Sequence, residues 1–158
     1  MTTVDSSTGV AWHEGLALGH APMDREHETF VRLIDTLNQA PDETLATALD
    51  ALAAHAQRHF ETENTWMAET GFPPRGCHVD EHAAVLRSVQ GVQQRVAQGD
   101  LAVARRLGAE LEPWFPAHAR HLDSALAHWI CKLRLGGKPV VLRRRLPAPA
   151  PAAAPTRS

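Results

Sequence analysis

The chain has 158 residues, enough for one domain with a sizeable core and too few for two. With 44% hydrophobic residues, a formal net charge of −2 and two distant cysteines, it is neither a strongly basic nucleic-acid binder nor a disulfide scaffold. No stretch approaches a membrane span, and MTTVDSSTGVAWHEG lacks the basic-then-apolar order of a secretory signal, so the expected location is the cytoplasm.

Residues 1–21 show no strong periodicity and are read as an arm, with Trp12 as its anchor. Pro22 suits the first turn of a helix, and Asp24, Glu26 and Glu28 lie near its positive end. His27, Phe30, Val31, Ile34 and Leu37 then recur at helical spacing and define one inward face, which ends near Ala40. Pro41, Asp42 and Glu43 open a second helix whose inward face runs through Leu45, Leu49, Leu52, Ala56, His59, Glu63 and Trp66. Gly71 should cap it, and Phe72-Pro73-Pro74 cannot continue it.

A third helix is expected from about Arg75–His78 to Gly99, with His78, His82, Val85, Leu86, Val89 and Val96 on one side. Asp100 is the expected N-cap of a fourth helix running to about Leu135. Pro113 and Pro116 fall inside it, and a bend is expected before His118.

Residues 136–158 are rich in proline and alanine, have no periodic apolar face, and are read as a disordered tail. They hold five basic residues and no acid, whereas residues 1–135 hold 11 basic and 18 acidic, so +5 stands against −7. The Arg143–Arg145 run is read first as a solvated patch, with docking to an acidic partner or a membrane surface as the alternative. Four helices with short connections over residues 22–135 predict an all-α, up-down antiparallel four-helix bundle.

Ten histidines exceed what a chain of this size needs for packing. His59 and Glu63 lie at i, i+4, so both project from one face of the second helix. His78 and His82 repeat that spacing on the third. His27 adds a lone histidine, and His118 with Asp123 adds a fourth set. A single such pair is weak, but one set per helix, pointed at a common axis, describes a metal site. His118 and Asp123 fit least well, because five residues turn an ideal helix by about 140° from eclipse, and spacing alone favours His121 or Leu122 as the partner of His118.

The segments Trp12 with Gly19, MDREH (23–27), HFETENTWM (59–67), HVDEH (78–82) and WFPAHARHLD (114–123) resemble the hemerythrins, most closely the single-domain bacterial ones, over roughly residues 10–133. The resemblance selects Asp123. It implies two non-haem iron ions, with His78, His82 and His118 on one, His27 and His59 on the other, and Glu63, Asp123 and an oxo or hydroxo group bridging them. Imidazole and carboxylate donors without cysteine suit iron and argue against an iron–sulfur cluster.

The implied activity is reversible dioxygen binding for storage, delivery or sensing, without catalysis. The alternatives are a diiron enzyme handling peroxide or nitric oxide, and an interaction module sensing oxygen or iron. Reversible binding needs a dry pocket, and Met23, Phe30, Val31, Trp66 and Trp114 are the candidate walls. Three residues depart from the family pattern beside the site: Asn64 stands where an acid is common, His55 where tyrosine is usual, and Pro116, two residues before His118, where an uninterrupted helix is more common. His55 is read as a packing or supporting residue, His13, His20, His121 and His128 as surface or supporting groups, and Cys77 as a structural or exposed thiol.

Overall fold

A computed structural model describes residues 12–136. The first eleven residues and almost all of the expected tail lie outside that range. A short 3₁₀ turn, Glu14–Leu16, leads into α1 (Ala21–Gln39), α2 (Asp42–Glu69), α3 (Arg75–Ala97) and α4 (Ala102–His118). A π-helical segment, Ala119–Asp123, joins α4 to α5 (Ser124–Arg134), and these three form the fourth rod. α1 packs on α2 and α4, and α3 on α2 and α4, which closes the expected four-helix bundle.

The helix starts follow local chemistry. His20 caps α1 by accepting a hydrogen bond from Met23 N at 3.4 Å, with Pro22 in the first turn. Asp24 turns back to accept from Leu18 N at 2.7 Å and Gly19 N at 3.1 Å, which fixes the arm against the helix. Gly71 and Gly99 take φ of 62° and 93° just after α2 and α3, the left-handed geometry that ends helices at glycine.

One expectation for the fourth rod changes. Asp100 does not cap it: the N-cap is Leu101, and Asp100 pairs instead with Arg95 at 2.5 Å. The helix is continuous through Pro113 and Pro116 to His118, although each proline lacks the amide donor for the carbonyl four residues back, and the register changes after His118.

The core lies in two apolar layers. The larger includes Phe30, Ile34, Leu37, Leu45, Leu49, Leu52, Phe60, Leu111 and Phe115, and Trp12 packs against it as the expected anchor. The smaller comprises Met23, Met67, Phe72, Leu126, Ala127 and Ile130. Along α1, α2 and the fourth rod, the polar residues His27, Glu63 and Asp123 fall between these layers. α1 and α4 approach closely at Gly108, where a Cβ would stand 2.0 Å from Asn38 Oδ1. Among the described residues, no helix is long and apolar enough to cross a membrane.

Candidate metal centre

All seven sequence-selected residues, His27, His59, Glu63, His78, His82, His118 and Asp123, converge at this level and are at most 3% exposed. They divide into two overlapping groups. His78, His82 and His118 gather with Glu63 and Asp123, and His27 and His59 gather with the same two carboxylates.

The carboxylate oxygens are shared out between the groups. Glu63 Oε1 lies 3.5 Å from His27 Nε2 and 3.4 Å from His59 Nε2, while Oε2 lies 3.6 Å from His78 Nε2 and 3.3 Å from His82 Nε2. Asp123 Oδ2 lies 3.1 Å from His27 Nε2, while Oδ1 lies 2.9 Å from His78 Nε2 and 3.1 Å from His118 Nε2. Each carboxylate thus gives one oxygen to each group, and every histidine presents Nε2.

Helical geometry explains most of this placement. His59 with Glu63, and His78 with His82, stack one turn apart on single faces. His118 and Asp123 meet because the turn between them is π-helical, so residues five apart become neighbours. The Ser124 N–H bonds to Ala119 O, five residues back, and the Ser124 hydroxyl donates to Arg120 O.

Further side chains set the rings. Asn64 Oδ1 faces His82 Nδ1 at 2.9 Å, so the ring donates there and keeps the Nε2 lone pair inward. Glu81 Oε1 lies 3.2 Å from His118 Nδ1 and accepts from Trp114 Nε1 at 3.0 Å, while Trp114 stacks on His118 at 4.6 Å. His55 donates from Nε2 to Glu26 O at 3.1 Å and lies parallel to His59 at 5.8 Å, a packing role as expected.

The walls differ in part from expectation. Met23, Phe30 and Val31 are buried, and Trp114 covers His118. Trp66 is half-buried and turns its ring to His20 at 5.1 Å. Spacing missed Phe60 and Phe115: Phe60 stacks on His82 at 4.1 Å, and Phe115 meets His27 edge-on at 5.2 Å. Both occupy inward helical positions and were legible as core, but nothing in the sequence separates core from wall. His121 and His128 are exposed, and so is Cys77.

The electrostatics call for positive charge. Burial and the Asp123 charge push Glu63 up, yet the surrounding histidines outweigh them and hold it below the ordinary carboxylate range. Burial likewise opposes ionisation of Asp123, but the close imidazoles of His118, His27 and His78 hold it well down. Burial lowers His27 and His78, and their contacts with Asp123 and Glu63 more than reverse this, raising each to about 9. His59, dominated by burial, falls to about 4.

Protons alone do not satisfy the cluster. Of the buried side-chain nitrogens and oxygens without a hydrogen-bond partner among the described residues, all but His20 Nε2 belong to these seven residues. They include both oxygens of both carboxylates and the Nε2 atoms of His27, His59 and His78. Lone pairs orphaned around shared points fit metal cations, and the nitrogen–oxygen set fits iron.

Comparison with known proteins agrees with this chemistry. The family described as the hemerythrin HHE cation-binding domain matches residues 18–130. A bacteriohemerythrin from Ralstonia nicotianae is 39% identical over 123 residues, covering 78% of this chain and 90% of that protein. One from Stenotrophomonas maltophilia is 24% identical over 122 residues, covering 75% of this chain and 79% of its own length.

Proposed function

Because the chain belongs to the hemerythrin family, we propose that it binds dioxygen reversibly at a pair of non-haem iron ions, for storage, delivery or sensing. In this reading His78, His82 and His118 hold one ion and His27 and His59 the other, with Glu63 and Asp123 bridging both. The observation that carries it is the sharing of oxygens: one oxygen of each carboxylate faces the three-histidine group and the other faces the histidines of the second group. A single-ion site has no use for that split.

When bound, two ferrous ions would supply the electrons for reversible reduction of dioxygen. The protein's part is to hold, orient and keep dry. Asn64 and Glu81 direct the Nε2 lone pairs of His82 and His118 inward. Phe30, Phe60 and Phe115, none with measurable exposure, pack against the rings of His59, His82 and His27 and exclude water that would promote oxidation.

Five imidazoles and two carboxylates make this set less anionic than the carboxylate-rich two-metal sites of ferritin-like bundles. That charge balance supports a binding protein over an enzyme that drives iron to high oxidation states. Anaerobic reconstitution with ferrous iron, followed by counting iron per chain, tests the ligand assignment. Two ions per chain are expected, and a saturating value of one would overturn it.

A further inference from the structure

Outside the seven-residue cluster, a cleft of about 190 Å³ lies between the start of α1 and the last turns of α2 and α5. His20, Trp66, Thr70, Ile130, Leu133 and Arg134 line it. His20 is 3% exposed, and its Nδ1 accepts the Met23 amide, so the neutral ring carries its proton on Nε2. That Nε2 is buried and has no hydrogen-bond partner among the described residues. Burial, with Arg134 nearby, lowers the pKa of His20 and keeps the ring in this neutral form.

A buried N–H without an acceptor is unfavourable, so the cleft favours an acceptor atom at that point. Its remaining polar groups narrow the choice. Thr70 gives its hydroxyl proton to Trp66 O at 2.7 Å, and its carbonyl accepts from Trp129 Nε1 at 3.2 Å. Asp24, the carboxylate closest in sequence to His20, is occupied by the Leu18 and Gly19 amides. Arg134 is the one ionised side chain in the lining and has no ion-pair partner among the described residues. Ile130 and Leu133 are apolar walls, and Trp66 adds a large indole surface with a single N–H.

We propose that this cleft binds a short-chain monocarboxylate, with its oxygens received by the His20 Nε2–H and the Arg134 guanidinium and its alkyl part against Trp66, Ile130 and Leu133. Two separated donors suit two carboxylate oxygens, and a guanidinium is the side chain best matched to them. A halide would use the donors and leave the apolar wall unmatched.

The test is calorimetric titration of propionate into the full chain with its metal in place, at constant ionic strength, with chloride as the comparison ion. Saturable binding of one propionate per chain is expected, weakened about tenfold or more in Arg134→Gln and in His20→Asn. Asparagine keeps an oxygen acceptor for the Met23 amide, so the α1 cap survives while the donor at the Nε2 position is lost from the shorter side chain. The optical spectrum of the iron should not change with propionate. No binding, affinity unchanged from the parent chain in either variant, equal affinity for chloride, or binding that alters the iron spectrum would each overturn the proposal.

Discussion

His118 Nε2 and Asp123 Oδ1 approach to 3.1 Å although five residues separate them. A regular helix would point Asp123 about 140° away from His118. The π turn over Ala119–Asp123 removes that offset and places both side chains in the same buried layer. The Ser124 hydroxyl, bonded to Arg120 O, supports the altered register.

Glu63 faces four histidines, more than any other residue of the centre, so its charge should be hard to replace. Glu63→Gln keeps the volume and removes the anion. Iron per chain should fall from two to one or none, read by metal analysis after anaerobic loading. Retention of two tightly held ions would show that Glu63 does not bridge.

Asn64 supplies the acceptor that holds the His82 ring. Asn64→Leu removes it at similar size and should weaken metal binding by about 10–100-fold, measured by competition with a chelator. Asn64→Asp retains an acceptor and should remain within a few-fold of the parent chain. Equal losses in both variants would point to a packing role.

The metal-free chain should have a stability maximum near pH 6.5. The raised pKa of His27 and His78 contributes stability that is fully present below the ordinary value of 6.5 and is lost as pH rises through about 9. His59, lowered to about 4, acts oppositely and reduces stability as pH falls below 6.5. The depressed carboxylates add to the loss on the acid side. Metal must displace the protons on His27 and His78, so uptake at pH 7 should release protons and tighten as pH rises toward 9. Calorimetry in buffers of different ionisation enthalpy reads that release, and its absence at pH 7 would contradict the assignment.

Phe60 is fully buried and stacks on His82. Phe60→Ala should destabilise the chain by about 3–5 kcal/mol in chemical denaturation. It should also speed loss of the oxygen-binding form by admitting water. Trp66→Ala, at a half-buried ring that faces His20, should change that rate much less.

Much of the centre was legible because its residues obey helical arithmetic. His59 with Glu63 and His78 with His82 are i, i+4 pairs, and the apolar residues flanking them mark the same inward faces. The π turn was not legible, since its register depends on backbone bonding that leaves no fixed residue signature. Asp123 therefore came from family resemblance and not from spacing. Asn64 and Glu81 were missed as ring-orienting groups because each partner lies on another helix, 18 and 37 residues away. Only packing of the bundle reveals such pairs.

The central claim is reversible oxygen binding, and its most direct test is an optical titration of the anaerobically iron-loaded chain with dioxygen. A visible charge-transfer band should appear with oxygen, saturate at one dioxygen per pair of irons, and vanish on deoxygenation through repeated cycles. Immediate irreversible oxidation without that band, or continued oxygen consumption beyond one equivalent, would contradict it.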